Sequence, residues 1–166
     1  MIRTLLLIVV MTVLFDNCST DMKICTKQVP AATLAAVDQV KLAQDVAAID
    51  AYLTANSITA VKDGSMRYLI TTPGTGQAAC LESTITVTYS GRVMGGNTFE
   101  TAVNPVSFLL GGDLILGWKL GFLNLNKGAV ATLYIPSGYA YGKTARTGIP
   151  ANSNLIFDVT LVDLTN

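Results

Sequence analysis

This 166-residue sequence has no histidine, and three cysteines, eleven carboxylates and six tyrosines are among the side chains left that could carry covalent or proton chemistry. Without an imidazole, a Ser-His-Asp triad, a Cys-His pair and a zinc site built on histidine are excluded. Cys18, Cys25 and Cys80 form no Cys-x-x-Cys unit, so neither a thioredoxin-like redox pair nor a zinc ribbon is indicated. Cys80 lacks a histidine that would activate it as a nucleophile, and Glu100 has no clear carboxylate mate for paired acid–base work. Eleven basic residues balance the eleven acidic ones, with no run of Lys and Arg, which argues against nucleic acid as a partner. What remains is an apolar chain, 51% hydrophobic and 13% charged, too rich in core-forming residues to be disordered. Its length suits one globular domain plus an extension.

Part of that apolar content reads as an export signal. Met1-Ile2-Arg3 carries one positive charge, and Leu5 to Phe15 is apolar apart from Thr12. Such a run is short for a permanent bilayer span but suits a signal-peptide core. It ends at Asp16-Asn17-Cys18-Ser19, and a cysteine placed there resembles the processing site of bacterial lipoproteins, although that family favours a small residue where Asn17 stands. The resemblance implies removal of residues 1–17, lipidation of Cys18 and residence in the cell envelope, as a periplasmic or outer-membrane lipoprotein. Acyl chains contribute about 0.8 kcal/mol per buried methylene, so several would hold the chain firmly on the membrane. Ordinary cleaved secretion and an uncleaved anchor are the alternatives. In an oxidising compartment Cys25 and Cys80 either pair or stay as free thiols.

The elements that must position any site begin after a polar tether, residues 18–30, that ends at Pro30. From 31 to 57 the pattern is helical. Leu42, Val46, Ile49 and Leu53 recur at spacings of four, three and four, and Asp38, Gln39, Lys41, Gln44, Asp45 and Asp50 fall largely off that stripe. This accessory helix must pack on the main domain or on a second copy. Past Asp63-Gly64 the period becomes two, which opens a domain over 64–166. Strands are expected at Met66 to Thr72, at Thr84 to Tyr89 with Ile85, Val87 and Tyr89 on one face, and at Thr98 after a Gly95-Gly96 turn. Two more are expected at Ala129 to Ile135 and at Asn154 to Leu164, the last with Leu155, Phe157, Val159 and Leu161 inward. Leu116 to Leu125 reads as a short helix. The fold class is therefore α+β, an antiparallel sheet covered by one short helix.

Along that domain, Val87-Thr88-Tyr89-Ser90-Gly91, Thr98-Phe99-Glu100, Gly117-Trp118, Gly138-Tyr139-Ala140-Tyr141-Gly142, Ile149-Pro150 and Leu155-Ile156-Phe157-Asp158-Val159 follow in order. The series resembles the FKBP-type peptidyl-prolyl cis-trans isomerases from about Met66 to Leu164. The resemblance implies a strongly bent antiparallel sheet wrapped around a short helix, with an aromatic-lined apolar pocket between them. It implies Trp118 as the pocket floor, with Tyr89, Phe99 and Phe157 as walls. Leu114 and Ile115 take the positions of aliphatic wall residues and of a backbone N–H offered to the ligand. Tyr141 stands for a hydroxyl that bonds a ligand carbonyl, and Ile149 for an aliphatic residue of the flanking loop. Glu100 replaces the more usual Asp. Val106 falls near a position that is often Phe, which predicts a thinner wall. The loop Lys143 to Gly148 looks short, and its usual histidine is missing, with Ala145 or Arg146 nearby.

The implied partners are proline-containing polypeptides and macrolide inhibitors, and the implied chemistry needs no cofactor and no metal. The second function open to such a pocket is that of a peptide-binding chaperone or assembly factor with little turnover. A structural lipoprotein with a vestigial pocket is a third.

Overall fold

The computed structural model describes residues 25–166, so the export signal and Cys18 lie outside the described residues. The chain runs α1 (Ala31–Ala35), α2 (Gln39–Ala55), β1 (Val61–Asp63), β2 (Met66–Thr72), β3 (Thr84–Val93), β4 (Thr98–Leu109), α3 (Leu116–Phe122), β5 (Val130–Ile135), a single 3-10 turn (Ser137–Tyr139) and β6 (Leu155–Thr165). The six strands form one antiparallel sheet in the order β1-β2-β5-β6-β3-β4. The register of β3 shifts against β6 between Thr86 and Val87, and against β4 between Val87 and Tyr89. Extra residues of this kind bend a strand and tighten its twist, which is how the sheet curls toward α3. Pro105 sits in β4, the edge strand, where its missing N–H breaks no interior ladder.

The alternation along β6 is as the sequence predicts: Leu155, Phe157, Val159 and Leu161 are buried, and they share a core with Ile85, Val87, Leu133 and Ile135. The helix α3 lies directly on β5. A Cβ at Gly117 would stand 2.3 Å from Ile135 Cγ2, so only glycine lets helix and sheet approach this closely.

The N-terminal helix differs from the expectation. Instead of one helix over 31–57 there are two, broken at 36–38, because Asp38 caps α2: its carboxylate accepts from the backbone N–H of Lys41 at 3.0 Å. Helix α2 packs on the sheet face opposite α3, where Ile49 and Leu53 meet Tyr134 and Ile156. The stripe is thus occupied by its own domain, and no second copy is needed to cover it. Leu42, Ile49 and Leu53 are buried and Val46 is half-buried, but the stripe also includes Asp45, which the periodicity had placed outside it and which is only 2% exposed. Cys25 is exposed and Cys80 buried, both as free thiols; the neighbouring Cys80 side chain pushes the Cys25 thiol above its usual range.

Arg67 of β2 ties α2 to the sheet. Its guanidinium donates to both Asp50 oxygens, at 2.7 and 3.0 Å, and to the carbonyls of Gly64 and Met66. That bond first, with help from Lys62, lowers the Asp50 carboxyl to about 2. A carboxyl depressed in the folded state stabilises the fold above its unfolded pKa and ceases to do so as pH falls through the folded one. Stability is therefore expected to drop between about pH 4 and pH 2 by about 1 kcal/mol, once solvent screening of the partly exposed Asp50 is allowed for. Asp50→Asn should flatten that part of a melting-temperature profile; an unchanged profile would remove Asp50 from the acid response.

Candidate active site

The concave side of the sheet and the start of α3 enclose a cavity of about 520 Å³. It exists because the bulged β3 and β4 curl over α3, leaving the aromatic side chains of four elements to face one another. Trp118, in the first turn of α3 and 4% exposed, forms the floor. Four rings pack on the indole: Tyr89 of β3 at 5.0 Å between centroids, Phe157 of β6 at 5.4 Å and Phe108 of β4 at 5.6 Å, all close to edge-on and lining the cavity, and Phe122 of α3, tilted, at 5.3 Å in the core. Edge-to-face packing sets the positive rim of one ring against the negative face of another, which fixes each ring without a polar atom. The indole Nε1–H is buried and has no hydrogen-bond partner within the described protein. A buried donor of that kind is costly to leave unmet, and it lies in the one residue every wall touches.

Leu114, Ile115 and Leu116 form the rim leading into α3. Ile115 caps the helix, and its carbonyl accepts from Trp118 N–H at 3.0 Å. Tyr141 and Ala140 enter from the loop after the 3-10 turn. Polar groups sit at the mouth. The Tyr89 hydroxyl donates to Glu100 Oε1 at 2.8 Å. Burial chiefly, then this bond, pushes the Tyr89 phenol up to about 12. Burial also raises Tyr141, with the Glu100 charge adding to it and Arg146 opposing. Both phenols therefore stay protonated near neutral pH and remain able to donate. The guanidinium of Arg146 lies over the Tyr141 ring, 5.6 Å from its centroid, a cation–π contact that steadies the ring. The set offers an aromatic floor and walls, with tyrosine hydroxyls and the charged groups of Glu100, Asp113 and Arg146 also in its lining.

Most of the expected site residues converge on this cavity: Tyr89, Glu100, Leu114, Ile115, Trp118, Tyr141 and Phe157 all line it. Three do not. Phe99 stands behind Phe157, with ring centroids 5.7 Å apart, and supports that wall from outside. Ile149 is buried in the core, because Arg146 and Ile149 exchange backbone hydrogen bonds at 2.9 Å in a tight turn that tucks its side chain under the loop. Val106 is 39% exposed and outside the lining. The wall expected to be thin there is supplied by Phe108, two residues further on. Counting along β4 misplaces it because the strand shifts register between Ala102 and Val106. Phe108, Asp113, Leu116, Ala140 and Arg146 line the cavity without having been singled out for it. Three of them carried a signal: Phe108 as an aromatic residue in a strand, Ala140 inside the Gly138 to Gly142 motif and Arg146 near the place of the missing loop histidine.

Comparison with known proteins gives a consistent picture. Residues 76–162, more than half of the chain, match the family model described as FKBP-type peptidyl-prolyl cis-trans isomerase. The FKBP-type peptidyl-prolyl cis-trans isomerase FkpA of Buchnera aphidicola is 44% identical over 102 residues, covering 60% of this chain and 42% of that protein. The crystal structure of FkpA from Escherichia coli superposes with a TM-score of 0.64 at 34% identity, covering 76% of this chain and 64% of that one. A peptidyl-prolyl cis-trans isomerase from Pseudomonas syringae pv. tomato has a TM-score of 0.65 over 84% of this chain and 100% of its own, at 24% identity, a likeness of fold. The chain spans less than half the length of the Buchnera relative.

Proposed function

The chain belongs to the FKBP-type peptidyl-prolyl cis-trans isomerase family, and from that premise we propose that it accelerates cis-trans isomerisation of Xaa-Pro bonds in polypeptides that enter the aromatic cavity. The observation that carries this reading is the indole floor of Trp118 ringed by Tyr89, Phe108 and Phe157. An Xaa-Pro bond turns slowly because rotation sacrifices amide resonance, with a barrier of about 18–20 kcal/mol. When the bond is twisted, its charge separation is smaller than in the planar amide. A water-free apolar slot therefore disfavours the planar form relative to the twisted one. A ten-thousand-fold acceleration corresponds to about 5.5 kcal/mol.

In this cavity the rings of Trp118, Phe157 and Phe108 take the pyrrolidine. Tyr141, neutral and steadied by Arg146, donates to a carbonyl beside the proline. Glu100 holds the Tyr89 hydroxyl in place, so its role is orientation and not proton transfer. Phe99 acts from behind Phe157. The alternative of binding with little turnover drew support from Val106 and from the short loop Lys143 to Gly148; the presence of Phe108 in the lining supports catalysis. Macrolide inhibitors would compete for the same slot.

The test is a chromogenic Xaa-Pro tetrapeptide assay on residues 19–166. Acceleration that is lost on adding a macrolide, and about tenfold weaker in Tyr141→Phe, supports the reading. Binding without acceleration would leave a chaperone, and full activity in Tyr141→Phe would remove that hydroxyl from the mechanism. We propose further that Cys18 is lipidated and that the protein works in the cell envelope; the apolar run Leu5 to Phe15 ahead of the cysteine supports this. Intact mass of the chain recovered from membranes tests it: an unmodified Cys18 would overturn the anchor.

A further inference from the structure

The carboxylate of Asp45 is out of place on an amphipathic helix. It lies on the buried stripe of α2, with a side chain only 3% exposed. Two partners satisfy it there, one on each oxygen. Lys41, one turn earlier, is its ion-pair partner, and the buried hydroxyl of Ser137 donates to it. Asn154, 8% exposed, links the same two elements through the main chain: its amide donates to the Asp45 backbone carbonyl at 3.4 Å while its side-chain oxygen accepts from the Ser137 N–H at 2.9 Å. Burying a carboxylate is expensive unless every contact is made, so this network sets the position of what it holds.

What it holds is the start of the loop that delivers Tyr141. The Ser137 carbonyl accepts from the N–H groups of Ala140, at 3.0 Å, and Gly142, at 2.8 Å. Asn152 N–H donates to the Gly142 carbonyl at 2.7 Å. Tyr141 is therefore enclosed in a bracket from 137 to 142 whose first residue is fixed from α2. Val37, just ahead of α2, presses on the same bracket, since a Cβ at Gly138 would stand 2.7 Å from its Cγ1.

We propose that the Asp45 side chain is a positioning group for the cavity, setting through Ser137 where the Tyr141 hydroxyl lies. The N-terminal helix is on this reading part of the catalytic unit, although it lies outside the residues matched by the family model. The inference rests on Tyr141 acting in the cavity as proposed above.

The test uses residues 19–166 and the tetrapeptide assay. Asp45→Ala should lower kcat/KM about tenfold, mainly through kcat, while Asp45→Asn, which keeps an oxygen for the Ser137 hydroxyl, should recover most of the activity. Asp45→Ala combined with Tyr141→Phe should be no slower than Tyr141→Phe alone, because both remove the same contact. If the two losses multiply, Asp45 acts by some other route and the proposal fails. Should Asp45→Ala not fold, Ser137→Ala takes its place in the same comparison. A second readout does not depend on turnover: in a spectrum of ring-13C-labelled tyrosines, with Tyr141 assigned from Tyr141→Phe, the Tyr141 signal should move in Asp45→Ala or Ser137→Ala. A stationary signal overturns the positioning role, whereas an inactive parent chain with a moving signal overturns the catalytic reading alone.

Discussion

Phe157→Ala is expected to lower the melting temperature by about 6–20 °C and to cut kcat/KM by about 5- to 150-fold. Phe157 is 3% exposed and its ring packs against Trp118 at 5.4 Å, Phe99 at 5.7 Å and Tyr89 at 6.2 Å between centroids. Removing a buried phenylalanine costs about 3–5 kcal/mol, since the void is filled only in part. In a chain of this size each kcal/mol corresponds to about 2–4 °C. The catalytic loss has a separate origin. The substrate ring loses one wall of its slot, worth about 1–3 kcal/mol of contact in the twisted state, and water enters. Gly91 shows how tightly this ring is held, for a Cβ there would stand 2.6 Å from Phe157 Cε1 and 2.7 Å from Phe99 Cζ. Thermal melts and tetrapeptide kinetics measured well below the new midpoint separate the two effects. Parent-like kinetics in a destabilised variant would show that Phe157 serves the core and not the slot.

Gly117→Ala should be destabilising even though alanine is the better helix former by about 1 kcal/mol. The new methyl would meet Ile135 at 2.3 Å from Cγ2, 2.9 Å from Cδ1 and 3.0 Å from Cγ1. Ile135 is fully buried in β5 and has nowhere to turn, so α3 must lift from the sheet. Overpacking of this kind costs about 1–3 kcal/mol, which outweighs the helix gain. Because Trp118 and the Ile115 rim ride on the same helix, kcat/KM should fall about tenfold with it. Ile135→Ala in the same chain removes the clashing atoms and should restore part of the activity. A Gly117→Ala chain more stable than the parent would mean that the close approach of α3 is not needed.

The sequence carries the strands plainly where one face is buried and the other is wet. β6 shows this, with Leu155, Phe157, Val159 and Leu161 inward; yet Ile156, between them, is also fully buried because α2 covers the outer face there. Alternation reports one layer and is silent about a second. The three-residue edge strand β1 escaped because all its residues are exposed. Ordered motifs bring Tyr89, Trp118 and Phe157 to the cavity because regular elements hold them at fixed spacing, whereas Tyr141 reaches it from a loop. Val106 falls outside the lining and Phe108, which no motif singles out, stands in it, in a strand whose register shifts just ahead of both. Asp45 was read as a solvent-facing residue because its partners, Ser137 and Asn154, lie 92 and 109 residues further along the chain.

The molecule has a single tryptophan, and it is the floor of the cavity. Its emission therefore arises from the place where an occupant would arrive, undiluted by any other indole. A guest that displaces water from above Trp118, or accepts its unmet N–H, changes the colour and brightness of the whole protein's fluorescence. The fold thus carries its own gauge of occupancy, readable without a label and without waiting for a bond to turn.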